Sequence, residues 1–306
     1  MKNSEPVGMI LIIVVAFTSL FAAIGGGPQQ SVPGSPQQSV PVYRSGASLV
    51  EVYVTVFDHK GRFVSGLKQD QFEVLDGGTA CPISIFEPVS SGFQCALLLD
   101  RTGSMLASLP VLKNAVLRFV DEFRDNDSFA IYSFNTTLRA IQDFTENKAA
   151  AKQAVLLTLA QGRTALVDSL SEVALQISQR KGKKVVVVFT DGDDNSSYLD
   201  ASAVVRRAKS LGIPVYSVAQ GEALDSPELI KTLREMSRAT GGSTYEVRRA
   251  SEIEPVFASI SETLRNSYMI AYTPPTAEDA RWRPLRVNVK GMKDLRIHAR
   301  EGYYPR

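Results

Sequence analysis

Histidine and cysteine are almost missing from this chain: its 306 residues carry two of each. His59 and His298 are far apart, one in a turn-like stretch and one in a strand-like stretch near the C-terminus. That argues against a zinc or catalytic centre built on histidine. No serine or cysteine stands with a histidine as nucleophile and base, and no carboxylate pair has a histidine or lysine base beside it. A charge bias is missing as well, since 34 Lys and Arg against 32 Asp and Glu leave a net charge of +2. The basic residues are scattered, so there is no nucleic-acid footprint. The short runs at 180–184 and 206–207 read as solvated charge at helix ends and faces. The single tryptophan, Trp282, lies between Arg281 and Arg283 and reads as cover for a β segment.

The remainder is ordinary for a globular protein, at 44% hydrophobic and 22% charged residues. It is long enough for a sizeable core and a smaller second unit. Residues 7–24 form a nearly unbroken apolar run preceded by Lys2 and Glu5. Segment 1–27 therefore reads as an uncleaved membrane anchor or a cleaved signal peptide, and either exports the rest. Segment 28–45 holds Pro-Gln-Gln-Ser-Val twice, at 28–32 and 36–40. Its proline, glutamine, serine and glycine bury too little surface to fold, so it reads as a tether. In an exported chain Cys81 and Cys95 meet an oxidising compartment, where they either pair or remain two buried thiols.

Residues 46–92 carry strand signals and no helix signal. Val50, Val52, Val54 and Val56 alternate with Glu51, Tyr53, Thr55 and Phe57, and further extended stretches lie at 72–75 and 83–86. So small a β unit needs a partner. From 93 to 266 strands alternate with helices: strands at 95–100, 128–134, 184–190, 214–219 and 244–247, and helices near 107–124, 147–160, 165–179, 200–211, 227–239 and 252–266. The all-apolar run at 185–189 is that of a parallel strand buried on both faces. This alternation predicts an α/β fold with a doubly wound, mainly parallel sheet. Residues 267–306 return to β, with strands at 268–272, 285–289 and 295–299, and the expected partner of segment 46–92 is this terminal one. The two together predict a small all-β module flanking the α/β domain.

Chemistry concentrates in Asp100-Arg101-Thr102-Gly103-Ser104, where an apolar strand delivers a carboxylate and two hydroxyls follow at alternate positions. Ligands of open α/β sheets bind at this strand edge, and oxygen donors suit a hard cation better than zinc or copper. Two more loops carry oxygen donors at strand or helix edges: Thr164 before a helix, and Asp191 directly after the 184–190 strand. Each alone reads as a helix cap; three of them meeting at one sheet edge read as a site. Asp193 and Asp194 read as loop solvation and helix capping.

Asp100-x-Thr102-x-Ser104, then Thr164, then Thr190-Asp191-Gly192 resembles the von Willebrand factor type A domain with its metal-ion-dependent adhesion site, over about 93–266. The family's first motif serine is here Thr102, which keeps the oxygen and adds a methyl and a stiffer χ1. The wider layout is similar to a bacterial exported group with such domains, through the β segments at 52–58 and 72–77 and the ending Ala299-Arg-Glu-Gly-Tyr-Tyr304. The resemblance implies a divalent ion, Mg2+ or else Mn2+ or Ca2+, contacted by the hydroxyls of Thr102, Ser104 and Thr164, with Asp100 and Asp191 acting largely through water. Neutral donors leave most of the ion's charge uncompensated, so an open coordination position favours the Asp or Glu carboxylate of a protein partner. The expected function is a metal-dependent binding module, tethered to the membrane by its N-terminal segment or secreted. Two alternatives stand beside it: a structural envelope protein with a degenerate metal site, and a metal-dependent hydrolase.

Overall fold

A computed structural model describes residues 49–88, 90–275 and 281–305. The expected anchor or signal segment and the tether lie outside the described residues. In chain order the elements are strands β1 (Val50–Phe57), β2 (Phe72–Asp76), β3 (Thr79–Cys81), β4 (Ile83–Glu87) and β5 (Phe93–Asp100), then helix α1 (Leu109–Asp121). Strands β6 (Ser128–Phe134) and β7 (Leu138–Thr145) precede helices α2 (Lys148–Leu156) and α3 (Leu166–Ser178). Next come β8 (Lys183–Thr190), α4 (Ala201–Leu211), β9 (Val215–Gln220), α5 (Pro227–Thr240), β10 (Thr244–Val247) and α6 (Ile253–Arg265). Strands β11 (Ser267–Tyr272), β12 (Arg283–Val289), β13 (Arg296–Ala299) and β14 (Gly302–Tyr303) close the chain.

The central sheet runs β10-β9-β8-β5-β6-β7, parallel except for β7. Because both faces of β5 and β8 are covered, successive side chains go to opposite cores. Cys95, Leu97, Leu99, Val185, Val187 and Phe189 join the core that includes residues of α1, α2 and α6. Ala96, Leu98, Val186 and Val188 join the core built with α3, α4 and α5. This two-sided burial explains the unbroken apolar run at 185–189. The chain winds outward from β5 to β6 and β7, then returns to the other side of β5 to form β8. The strand order therefore reverses between β5 and β8, which opens a crevice at their C-terminal ends.

The edge strand β7 was not foreseen. Its side chains are half-buried or exposed, so it lacks the apolar run that marks its neighbours, and it is held by antiparallel pairing with β6. The flanking strands form two four-stranded sheets, β13-β1-β11-β4 and β14-β12-β2-β3. Strand β1 pairs with both β11 and β13, and β2 with β12, so the terminal strands complete those near 46–92. Val50, Val52, Val54 and Val56 point together into their shared core. Trp282 packs edge-on against Tyr304 at 5.1 Å between ring centroids. The cysteines are free thiols, Cys95 buried and Cys81 partly so.

The basic run at 180–184 departs from its expected solvation. Lys183 and Lys184 are 2% and 5% exposed, because β8 starts at Lys183 and its first residues are covered by β1 on Lys184 and by the Pro88 and Ser267 backbone on Lys183. Lys184 pairs with Glu51 at 2.9 Å, and its backbone N–H donates to the Tyr53 hydroxyl at 2.8 Å. Among the described residues the Lys183 ammonium has only carbonyl acceptors, Ser267 at 3.2 Å and Pro88 at 3.4 Å, and burial pushes it from 10.5 down to about 8. A lysine lowered in this way adds stability above its unfolded value of 10.5 and loses it as pH falls through about 8. Wild type is thus expected to gain about 2–3 kcal/mol relative to Lys183→Met between pH 8 and pH 10. Urea unfolding at the two pH values measures it; parallel pH–stability curves for the two proteins would refute it.

Candidate metal centre

The site stands at the crevice between β5 and β8. Leu99 pairs with Phe189 across the two strands, so Asp100 lies beside Thr190, with Asp191 one step further out. Asp100 is fully buried. One oxygen accepts the Thr102 backbone N–H at 2.9 Å and the other the Thr190 hydroxyl at 2.8 Å. Burial pushes its carboxyl from 3.8 up to about 6, against the lowering pull of those hydrogen bonds, and the charge of Asp191 adds to the rise. Asp191 is bound by two serine hydroxyls, Ser104 at 2.7 Å and Ser108 at 3.3 Å. Burial raises its pKa too, the two serines lower it, and Glu222 adds a smaller upward push.

Three hydroxyls from two loops converge in front of these carboxylates. Thr102 Oγ1 and Ser104 Oγ are 3.0 Å apart. Gly192 marks the space they share with Thr164. A Cβ placed on Gly192 would stand 3.2 Å from Thr164 Oγ1, 3.4 Å from Ser104 Oγ and 4.0 Å from Thr102 Oγ1. The missing side chain of Gly192 thus leaves a small oxygen-lined cradle. All five residues expected from the sequence, Asp100, Thr102, Ser104, Thr164 and Asp191, are brought together around it. Among the described residues no group of three or more His, Cys, Asp or Glu could hold a metal. The cradle instead offers three neutral hydroxyls backed by two carboxylates, a donor set that fits a hard divalent cation.

Residues not foreseen from the sequence hold the loops in register. The Gly103 N–H donates to Gly162 O at 3.1 Å and the Gln161 N–H to Arg101 O at 2.6 Å, which binds the Asp100 loop to the Thr164 loop. Asn135, at the end of β6, donates its side-chain amide to Gln161 O at 3.0 Å and accepts the Ala165 N–H on its own carbonyl at 2.9 Å. Gly162 has φ +89°, and a Cβ there would stand 2.8 Å from Asn135 Nδ2, so this corner requires glycine. Asn195 clamps Thr164 in both directions: its side-chain oxygen accepts the Thr164 N–H at 3.1 Å and its own N–H donates to Thr164 O at 3.0 Å. Ser108 had a readable signal, one helical turn after Ser104. Asn135 and Asn195 had none, because each acts on a loop distant in sequence.

Asp194 is a helix cap, but of α3, earlier in the chain, through the Val167 N–H at 2.7 Å. The next helix, α4, is capped by Asp200 through the Ala203 N–H at 2.8 Å. Asp193 is exposed and accepts the N–H of Asp194 at 3.0 Å.

Thr102 keeps its oxygen 3.0 Å from Ser104, so its extra methyl does not displace the donor. Thr102→Ser is therefore expected to change affinity for a divalent ion by no more than about threefold. Thr102→Val, which keeps the shape and removes the oxygen, is expected to weaken it about tenfold or more. Calorimetric titration with Mn2+ measures both; equal affinity of the valine and serine variants would exclude the hydroxyl as a donor.

A doubly wound sheet with this constellation at its strand edge defines a class of domain. The family model of the von Willebrand factor type A domain matches residues 95–258, more than half of the chain, and the chain belongs to that family. Among curated relatives, human integrin alpha-D is 25% identical over 153 residues, which cover 46% of this chain and 13% of the integrin. A UPF0353 protein of Mycobacterium avium is 22% identical over 199 residues, covering 55% of this chain and 59% of that protein. The chain thus spans a small part of the first and little more than half of the second. Among solved structures, a von Willebrand factor type A protein from Catenulispora acidiphila superposes with a TM-score of 0.52 at 14% identity, over 85% of this chain and 74% of that one. Proximal thread matrix protein 1 of the mussel byssus, with a zinc-occupied MIDAS motif, gives 0.50 at 17% identity over 62% and 49%. These structures show the shared fold.

Proposed function

We propose that this protein is a divalent-cation-dependent binding module that grips an acidic side chain of a protein partner. The cradle at Gly192 carries this reading, with hydroxyls of Thr102, Ser104 and Thr164 around it and Asp191 hydrogen-bonded to Ser104. Mg2+, Mn2+ or Ca2+ would be held there by the three hydroxyls, with Asp100 and Asp191 behind them. The ion supplies an uncompensated positive charge that attracts a carboxylate. The chain's own residues orient it: Asp191 fixes the Ser104 hydroxyl, Asn195 fixes the Thr164 backbone, and the Asp100–Thr190 contact fixes the strand end from which Thr102 projects. The integrin relative and the zinc-occupied motif of the byssus protein support the same reading.

The module is placed outside the cytoplasm by the apolar run at 7–24, as a tethered or secreted protein. Among the described residues no helix is long and apolar enough to cross a membrane. Binding is favoured over hydrolysis because the carboxylates at the cradle are engaged by hydroxyls and a backbone N–H, and no histidine or lysine base is among them.

Mn2+ titration of the full chain, followed by electron paramagnetic resonance, is expected to show one bound ion in wild type and about a hundredfold weaker binding in Asp191→Ala. A glutamate-bearing peptide is expected to bind with Mn2+ and to be released by EDTA. Equal Mn2+ binding by wild type and variant would sink the reading.

A further inference from the structure

The four most exposed large apolar side chains among the described residues are Tyr198 at 99%, Leu106 at 75%, Leu157 at 73% and Leu159 at 72%. All four sit on loops that carry or buttress the cradle. Leu106 ends the short turn Gly103–Leu106, two residues beyond Ser104. Leu157 caps the C-terminus of α2 and Leu159 follows two residues on; the Thr158 between them is buried while both leucines are exposed. That stretch runs directly into Gln161 and Gly162, whose backbones bond to Arg101 and Gly103. Lys113 of α1 donates to Leu156 O at 2.7 Å and secures the other end. Leucines this exposed, on loops whose backbones bond beside a polar site, have no role in this chain's own core.

The same rim holds an unanswered charge. Arg101 follows Asp100 and is 7% exposed, yet among the described residues its guanidinium has no ion pair or hydrogen bond. Its nearby charge is Arg139, at the start of β7 and on the same sheet edge, which repels it. Two cations at one sheet edge with no anion beside them favour an acidic partner. Neutral partners satisfy neither group, and a polyanion such as a nucleic acid would leave the leucines uncovered.

We propose that this rim selects an extended acidic–apolar segment of a protein partner: one carboxylate directed to the cradle, aliphatic side chains on Leu106, Leu157 and Leu159, and a second carboxylate answering Arg101 and Arg139. This rests on the metal-dependent reading of the cradle and adds the chemistry that accompanies the gripped carboxylate.

The test uses the full chain with Mn2+ and fluorescein-labelled peptides read by anisotropy. One peptide has a leucine–glutamate–leucine–aspartate core. A second has serines for the leucines, and a third has asparagine for the aspartate. Wild type is expected to prefer the first over the second about tenfold or more. The double variant Leu157→Ser/Leu159→Ser is expected to lose most of that preference. Arg139→Glu is expected to remove the preference for aspartate over asparagine, and neither variant changes Mn2+ affinity. Equal binding of the leucine and serine peptides by wild type, an intact preference in the double variant, or no binding of any peptide overturns the proposal. Sedimentation of the same proteins covers the competing occupant: a wild-type dimer split by the double variant assigns the face to a second copy and likewise overturns it. Failure of the metal reading is separate, since it shows as peptide binding unchanged by EDTA while the leucine preference is still read.

Discussion

Asp100→Asn is expected to make the metal-free protein more stable and to abolish its stabilisation by divalent ions. Asp100 is fully buried, and its carboxyl is raised from 3.8 to about 6 chiefly by loss of water. A carboxyl with a raised folded-state value adds its full stability below its unfolded value and loses it as pH rises through about 6. At neutral pH the buried charge therefore weighs on the fold by about 3 kcal/mol. Asparagine is neutral and fits the same contacts. Its oxygen accepts the Thr102 N–H, and its amide donates to Thr190 Oγ1, whose proton turns to Gly192 O, already 3.1 Å away. Thermal unfolding in EDTA at pH 7 and pH 4 measures the first effect: the variant should exceed wild type at pH 7, and the two should converge at pH 4. Unfolding with and without Mn2+ measures the second, with a shift in wild type and none in the variant. A variant less stable than wild type at pH 7 in EDTA would show that Asp100 serves the fold rather than the ion.

Gly192→Ala tests the cradle without touching any of the five donors. Its methyl would stand 3.2 to 4.0 Å from the three hydroxyl oxygens, in the space they share. The glycine's φ lies outside the left-handed region, so the backbone accepts alanine. A methyl in the space the ion would share, at the roughly 1–3 kcal/mol typical of overpacking, is expected to weaken Mn2+ binding about tenfold to a hundredfold. Melting of the metal-free protein should move by only a few degrees. Calorimetry and thermal unfolding on one preparation read both. Unchanged Mn2+ affinity would place the ion elsewhere.

How much of this could be read beforehand differs by element. The buried strands β5, β6 and β8 and all six helices announced themselves through apolar runs and helical periods, which reflect burial on two faces or one. Strand β7 did not, because an edge strand with little burial leaves no hydrophobic pattern. Lys183 and Lys184 read as solvated because charge runs usually are. Lys184 is buried by β1, with Tyr53 and Glu51 supplying partners from 131 and 133 residues away, and Lys183 by the distant Ser267 and Pro88 carbonyls. The site divides in the same way. The five oxygen-bearing residues around its cradle were legible because each sits at a strand end or helix start in a fixed order. Asn135 and Asn195, which hold the loops together, were not, since a side chain that bonds a distant backbone leaves no local spacing.

The alternation of buried strands with helices from 93 to 266, the two-faced core and the five oxygen-bearing residues expected at the site were legible in the sequence alone, because burial periodicity and strand-end chemistry are local properties. The tertiary structure decided the rest: that Thr102, Ser104 and Thr164 face one space at Gly192, that Asp100 is dry enough for its carboxyl to rise to about 6, and that Leu157 and Leu159 are left exposed. Each of these depends on the strand order reversing between β5 and β8, which brings segments 60 to 90 residues apart to a single edge.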